Sequence, residues 1–150
     1  MKKNKDSILK ELHYLTCEIH ALYHEIAVSF HLSDSAMIIL YTLCINEGKC
    51  LLQEIYQLSG TSRQTIHSAI RKLEQDQIIY LTFYDGKKKN VHLSEKGKKL
   101  SENSVLRLME LEQQVLASWS GKDQKCYLEL SKCYLENMKE KTKNLQGVRL

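Results

Sequence analysis

A chain of 150 residues with no proline and only six glycines has few positions at which a helix is forced to stop. Proline removes a backbone donor and clashes with the preceding turn, so without it helices can run long. The same lack of breakers excludes a β-sandwich, which needs turn signals every few residues along the chain. The expected class is mainly α, in one domain spanning 1–150, a length that can bury a real core.

Hydrophobic periodicity places the helices. Ile8, Leu12, Leu15, Ile19, Leu22 and Ile26 step by four and three and draw one apolar stripe along a helix over 6–30. Leu32-Ser33-Asp34 breaks it, and Ser33 or Asp34 can cap a second helix reaching about Asn46. That second helix is apolar nearly all round and is expected to be central and buried. Asn46–Lys49 reads as a turn, followed by a short helix over 51–58, a turn at Ser59-Gly60-Thr61, and a helix from Ser62 to about Gln75. Two short helices joined by a three-residue, glycine-containing turn make a helix-turn-helix.

The pattern then changes from helical to extended. Residues 78–84 are rich in β-branched and aromatic side chains, Asp85-Gly86 is a strong hairpin signal, and 90–93 can return as the second strand. Ser94 caps a helix expected to continue to about Trp119, with Val105, Leu108, Leu111, Val115 and Leu116 on one side. Ser120-Gly121 breaks it. A last helix over 122–145 is expected to bury Tyr127, Leu130, Tyr134 and Met138, leaving Gln146–Leu150 as a frayed tail.

Helix, helix-turn-helix and two-stranded hairpin in that order describe a winged helix-turn-helix with a small β-hairpin wing. Its second helix presents Ser62, Arg63, Gln64, Thr65, His67, Ser68 and Arg71 outward, while Ile66, Ala69, Ile70 and Leu73 face inward. Arginine pairs with guanine and glutamine with adenine through two bonds each, and hydroxyls reach phosphates or base edges. At the wing, Lys87, Lys88 and Lys89 can lie along the DNA backbone and displace counterions. The net charge of +4 is unremarkable in size, but basic residues concentrate within 63–99. A lysine run is usually only a solvated turn; beside this polar helix it points to double-stranded DNA.

These residues resemble the MarR (multiple antibiotic resistance regulator) family of bacterial repressors. Leu32-Ser33 is similar to the family's opening before its buried helix, and Leu58–Ile66 resembles the entry to its recognition helix. Leu73-Glu74, the tip Asp85-Gly86-Lys87-Lys88 and the ending Val91–Gly97 match further family motifs in order. The resemblance covers nearly the whole chain. It implies a homodimer joined by helices at 1–31 and 101–150, with 32–100 as the DNA-binding lobe. Each recognition helix would enter one half of a palindrome, the half-sites about one helical turn apart. The chain departs from the family at Gln77, where the family has glycine before the first wing strand, and at Leu81, where it has arginine. Lysines also stand at the wing where arginines are usual.

An effector is less legible. His13, Cys17, His20 and His24 form a narrow stripe on the first helix, opposite the apolar one. Imidazole and thiolate suit zinc and similar ions, so these four are metal candidates. The plainer reading is a polar face packed on the lobe, and a third is a small-molecule pocket lined by Tyr14, Cys17, His20, Tyr23 and His24. Thiol redox control through Cys17 or Cys50 is a further alternative, whereas Cys126 and Cys133 stand about 10 Å apart on one helix, too far to bridge within one subunit.

Five cysteines in no framework pattern, behind a start that leads into no uncharged apolar run, suggest a cytoplasmic protein without membrane span or export signal. No glycine-rich phosphate loop, Ser–His–Asp order or carboxylate pair suggests an enzyme, and no cofactor is expected. A winged helix that binds proteins instead of DNA is the competing class; it predicts an apolar or acidic face over 62–72, which Arg63, Gln64 and Arg71 oppose.

Overall fold

The computed structural model describes residues 2–143 and 145; the tail expected at Gln146–Leu150 lies outside them. Among the described residues the elements run α1 (Lys2–Ser29), α2 (Asp34–Ile45), β1 (Lys49–Leu51), α3 (Leu52–Leu58), α4 (Arg63–Gln75), β2 (Ile79–Tyr84), β3 (Lys88–Leu93), α5 (Glu95–Glu102), α6 (Val105–Ala117) and α7 (Gly121–Thr142). The mainly α class and the winged lobe are as expected. Two compact units divide the chain, Met1–Leu108 and Met109–Leu150.

In the first unit α1 ends when His31 takes a left-handed φ of 57° and the Leu32 N–H donates back to Ala27 O at 2.9 Å. Ser33 then caps α2, its Oγ accepting from the Ala36 N–H, and the chain turns by 88° between the two helices. α2 buries Ile39, Leu40 and Leu43 completely, so its all-round apolarity reflects burial in the lobe. Among the described residues no single helix is long and apolar enough to cross a membrane. The core around α2 takes Ile55 from α3, Ile66, Ile70 and Leu73 from α4, Ile79 from β2 and Val91 from β3.

The sheet corrects two expectations. It has three antiparallel strands in the order β1-β3-β2, with Cys50 opposite Val91 and Leu81 opposite Val91 from the other side. β1 was not expected: it takes Lys49 from the end of the expected turn and Leu51 from the start of the expected helix, which begins instead at Leu52. Three residues are too few to show period-two alternation, and only pairing to β3 makes them a strand. β3 also begins at Lys88, not Asn90, so Lys88 and Lys89 pair with Tyr84 and Phe83 and only Lys87 lies in the turn. Asp85 and Gly86 hold φ of 45° and 70°, the left-handed region that suits this dipeptide at a hairpin tip.

The helix expected to run unbroken from Ser94 to Trp119 is two helices. At the break Asn103 Nδ2 donates to Lys99 O and Ser104 Oγ donates to Leu100 O at 2.6 Å, so polar side chains compete for the carbonyls that end α5. Gln77 occupies a left-handed φ of 59°, which explains why the resembling family places glycine there.

In the second unit Ser120 caps α7 through the Asp123 N–H, and Trp119 meets the edge of Tyr127 at 5.3 Å. The burial expected of Tyr127, Leu130, Tyr134 and Met138 is absent within one chain: all four are exposed, and α7 buries none of its residues. Ile8, Leu12, Leu15, Ile19 and Leu22 on α1 are likewise at least half exposed.

Candidate nucleic-acid interface

The helix-turn-helix is α3, the turn at 59–62, and α4. Ser62 caps α4, accepting from the Thr65 N–H at 3.1 Å, which is worth about 1 kcal/mol to such a helix. With Ile66, Ile70 and Leu73 locked into the core, the opposite face of α4 is obliged to point away from it. Ser62, Arg63, Gln64, Thr65, His67, Ser68 and Arg71 are all exposed there, seven side chains on one outward surface.

Their hydroxyls are turned onto the helix itself. Ser62 Oγ and Thr65 Oγ1 lie 2.7 Å apart, and Ser68 Oγ donates to Gln64 O at 3.1 Å. Arg63 is held differently. Its guanidinium stacks over the Tyr56 ring at 4.6 Å, a cation–π contact that positions the fork and leaves its edge free to bond. The Tyr56 hydroxyl lies 3.4 Å from His67 Nδ1, so one residue of α3 steadies two of α4.

Arg63 also lines a cleft of about 530 Å³ together with Leu51, Leu52, Gln53, Tyr56 and Gln57 and with Lys87, Lys88 and Lys89 of the wing. The first turn of α4 and the wing thus share one basic cleft, although 23 residues of sequence separate Arg63 from Lys87 (87 − 63 − 1). Gln53, Tyr56 and Gln57 were missed from sequence. The one signal was the spacing of Gln53 and Gln57, four apart and therefore on one face of a short helix.

The wing is tied down at its base. Ser94 Oγ donates to Gln77 O at 2.6 Å and accepts from the Gly97 N–H at 3.0 Å, linking the end of α4 to the start of α5. Tyr80 stacks flat on His92 at 4.8 Å, and Thr82 Oγ1 lies 2.7 Å from His92 Nε2. Burial and, second, the cation at Lys49 push the His92 pKa below its ordinary value.

On α1 the histidine stripe is divided between partners. His24 Nδ1 lies 2.9 Å from Asp34 Oδ1 at the start of α2, while Cys17 Sγ lies 3.7 Å from His13 Nε2. Tyr14, Cys17, His20 and His24 are exposed, and Tyr23 packs partly against the core. Among the described residues no three His, Cys, Asp or Glu side chains converge on a common point, so the proposed metal ligands are not brought together. Cys50 is buried, and burial, then Glu54, pushes its thiol up to about 11, away from the thiolate form that oxidants attack.

No protein-family profile matches the chain, and no curated protein matches its sequence. Its fold is another matter. It is similar to NMB1585, a MarR family regulator from Neisseria meningitidis, with a TM-score of 0.74 and 21% identity over 92% of this chain and 97% of that one. The fold is the MarR winged helix. MepR of S. aureus, solved as a DNA complex, shares the MarR fold at a TM-score of 0.64 and 19% identity, over 85% of this chain and 95% of that one. BpsR of Bordetella bronchiseptica, whose DNA binding is regulated by 6-hydroxynicotinic acid, matches at 0.61 and 16%, over 83% and 98%.

Proposed function

We propose that this chain is a sequence-specific double-stranded DNA-binding transcriptional regulator that acts as a homodimer on a palindromic operator in the cytoplasm, as a repressor. One observation carries the reading. The exposed polar face of α4 and the wing lysines meet in a single basic cleft at Arg63. Ser62, Arg63, Gln64, Thr65, His67, Ser68 and Arg71 would face the major groove, and Lys87, Lys88 and Lys89 the phosphates beside it. The likeness in fold to MepR, solved on DNA, supports the same mode of docking.

The exposed apolar rows on α1 and α7 support the dimer. A 22-residue helix with no buried residue has little tertiary support of its own, and a second copy would supply it. Release by a small ligand is the finer part of the proposal. Tyr14, Cys17, His20, Tyr23 and His24 are its candidate residues, and the His24–Asp34 pair gives α1 a direct hold on α2.

The test is binding to a labelled duplex from the gene's own upstream region, across a salt series, beside Arg63→Ala. Tight binding that weakens steeply with salt and is lost in Arg63→Ala is the expected result. If selection from random duplexes also yields no preferred sequence, the DNA-reading function is wrong.

A further inference from the structure

Phe83 is left unused by a reading that rests on α4 and the wing lysines. Its ring is 76% exposed, the most exposed large hydrophobic side chain among the described residues. Strand alternation explains its place. Ile79 is buried and Leu81 partly buried against the core, and Phe83, two residues further along β2, continues the same face past the edge of that core. Its cross-strand partner is Lys89, whose ammonium lies 5.5 Å from the ring centroid. Lys89 in turn lines the cleft that holds Lys87, Lys88 and Arg63.

An exposed apolar ring with one cation over it, beside a cleft lined by three more, suits few partners. A second copy of this chain docking there by two-fold symmetry would bring the same cations face to face. A strand of DNA matches both properties, because its deoxyribose walls are apolar and its phosphates anionic. Leu81, the position at which the resembling family has arginine, is packed on the core and presents no guanidinium. We infer that Phe83 is the minor-groove contact of the wing: its ring packs against the sugars flanking each half-site while Lys87, Lys88 and Lys89 pair with neighbouring phosphates. A ring in that place reads groove width and deformability, not hydrogen-bond pattern, so the flanking preference is for flexible pyrimidine–purine steps. The inference rests on the DNA-binding reading above.

The experiment uses the full chain on the duplex it selects, with Phe83→Ala, Phe83→Leu and Lys89→Ala, and a thermal melt of each variant. Phe83→Ala is expected to weaken binding roughly tenfold with an unchanged salt slope, through loss of buried apolar surface. Phe83→Leu should keep most of the affinity. Lys89→Ala should instead flatten the salt slope by about one unit. Hydroxyl-radical footprints should show minor-groove protection beside each half-site that Phe83→Ala removes. Wild-type affinity and an unchanged footprint in Phe83→Ala would overturn the inference, as would a changed sedimentation coefficient with the footprint intact, which would make the ring a subunit contact. If Arg63→Ala abolishes binding while Phe83→Ala does nothing, only this inference falls. A wild-type chain that selects no duplex overturns both.

Discussion

Arg63, Tyr56 and His67 show how single residues build this surface. Arg63 was identifiable from its position in the first turn of a polar helix, but the ring beneath it belongs to the preceding helix and lies seven residues back in the chain (63 − 56). A local pattern names the group that reads; only packing names the group that aims it. His92 makes the same point for the wing. Burial and the Lys49 cation depress its pKa, so the folded protein resists protonating it while the unfolded chain takes a proton at the ordinary value. Its contribution is therefore full above pH 6.5 and is lost as pH falls through the lowered value. Denaturant unfolding at pH 7.5 and pH 5.5, about one unit either side of the ordinary histidine value, should show the loss begin. His92→Gln should show a smaller difference between the two conditions.

Among the elements, α5 and the end of α4 are coupled through Ser94 and Gly97. A methyl group added at Gly97 would run into the carbonyl oxygen of Ile78, which is backbone and has little room to yield. Gly97→Ala should cost about 2–3 kcal/mol by overpacking and appear as a lowered urea midpoint. The glycine sat in a recognisable motif, yet its physical reason is the approach of an element 19 residues away in sequence (97 − 78). β1 and the break at Asn103 were illegible for a related reason. A three-residue strand carries no period of its own, and Asn103 and Ser104 end a helix only once their side chains win the carbonyls of Lys99 and Leu100.

For the molecule as a whole, the governing fact is the apolar surface left open on its terminal helices. Ile8, Leu12, Leu15, Ile19 and Leu22 on α1 and Tyr127, Leu130, Tyr134 and Met138 on α7 form rows too regular for solvent. If the proposed homodimer joins through these rows, Ile19→Asp shifts sedimentation towards the monomer and weakens binding to the proposed operator, since each half-site is then bound singly. Equal sedimentation of wild type and variant would overturn a dimer joined through α1. The sequence by itself determined the mainly helical class, the helix-turn-helix, the hairpin with its lysines and the face of α4 that turns outward, because each depends on period, capping or turn chemistry within a few residues. Tertiary structure alone decided the third strand, the Tyr56 seat beneath Arg63, the meeting of Arg63 with the wing in one cleft and the stranding of Phe83 beyond the core. Those depend on which distant segments the hydrophobic core draws together, a property of the packed whole that no local window of residues contains.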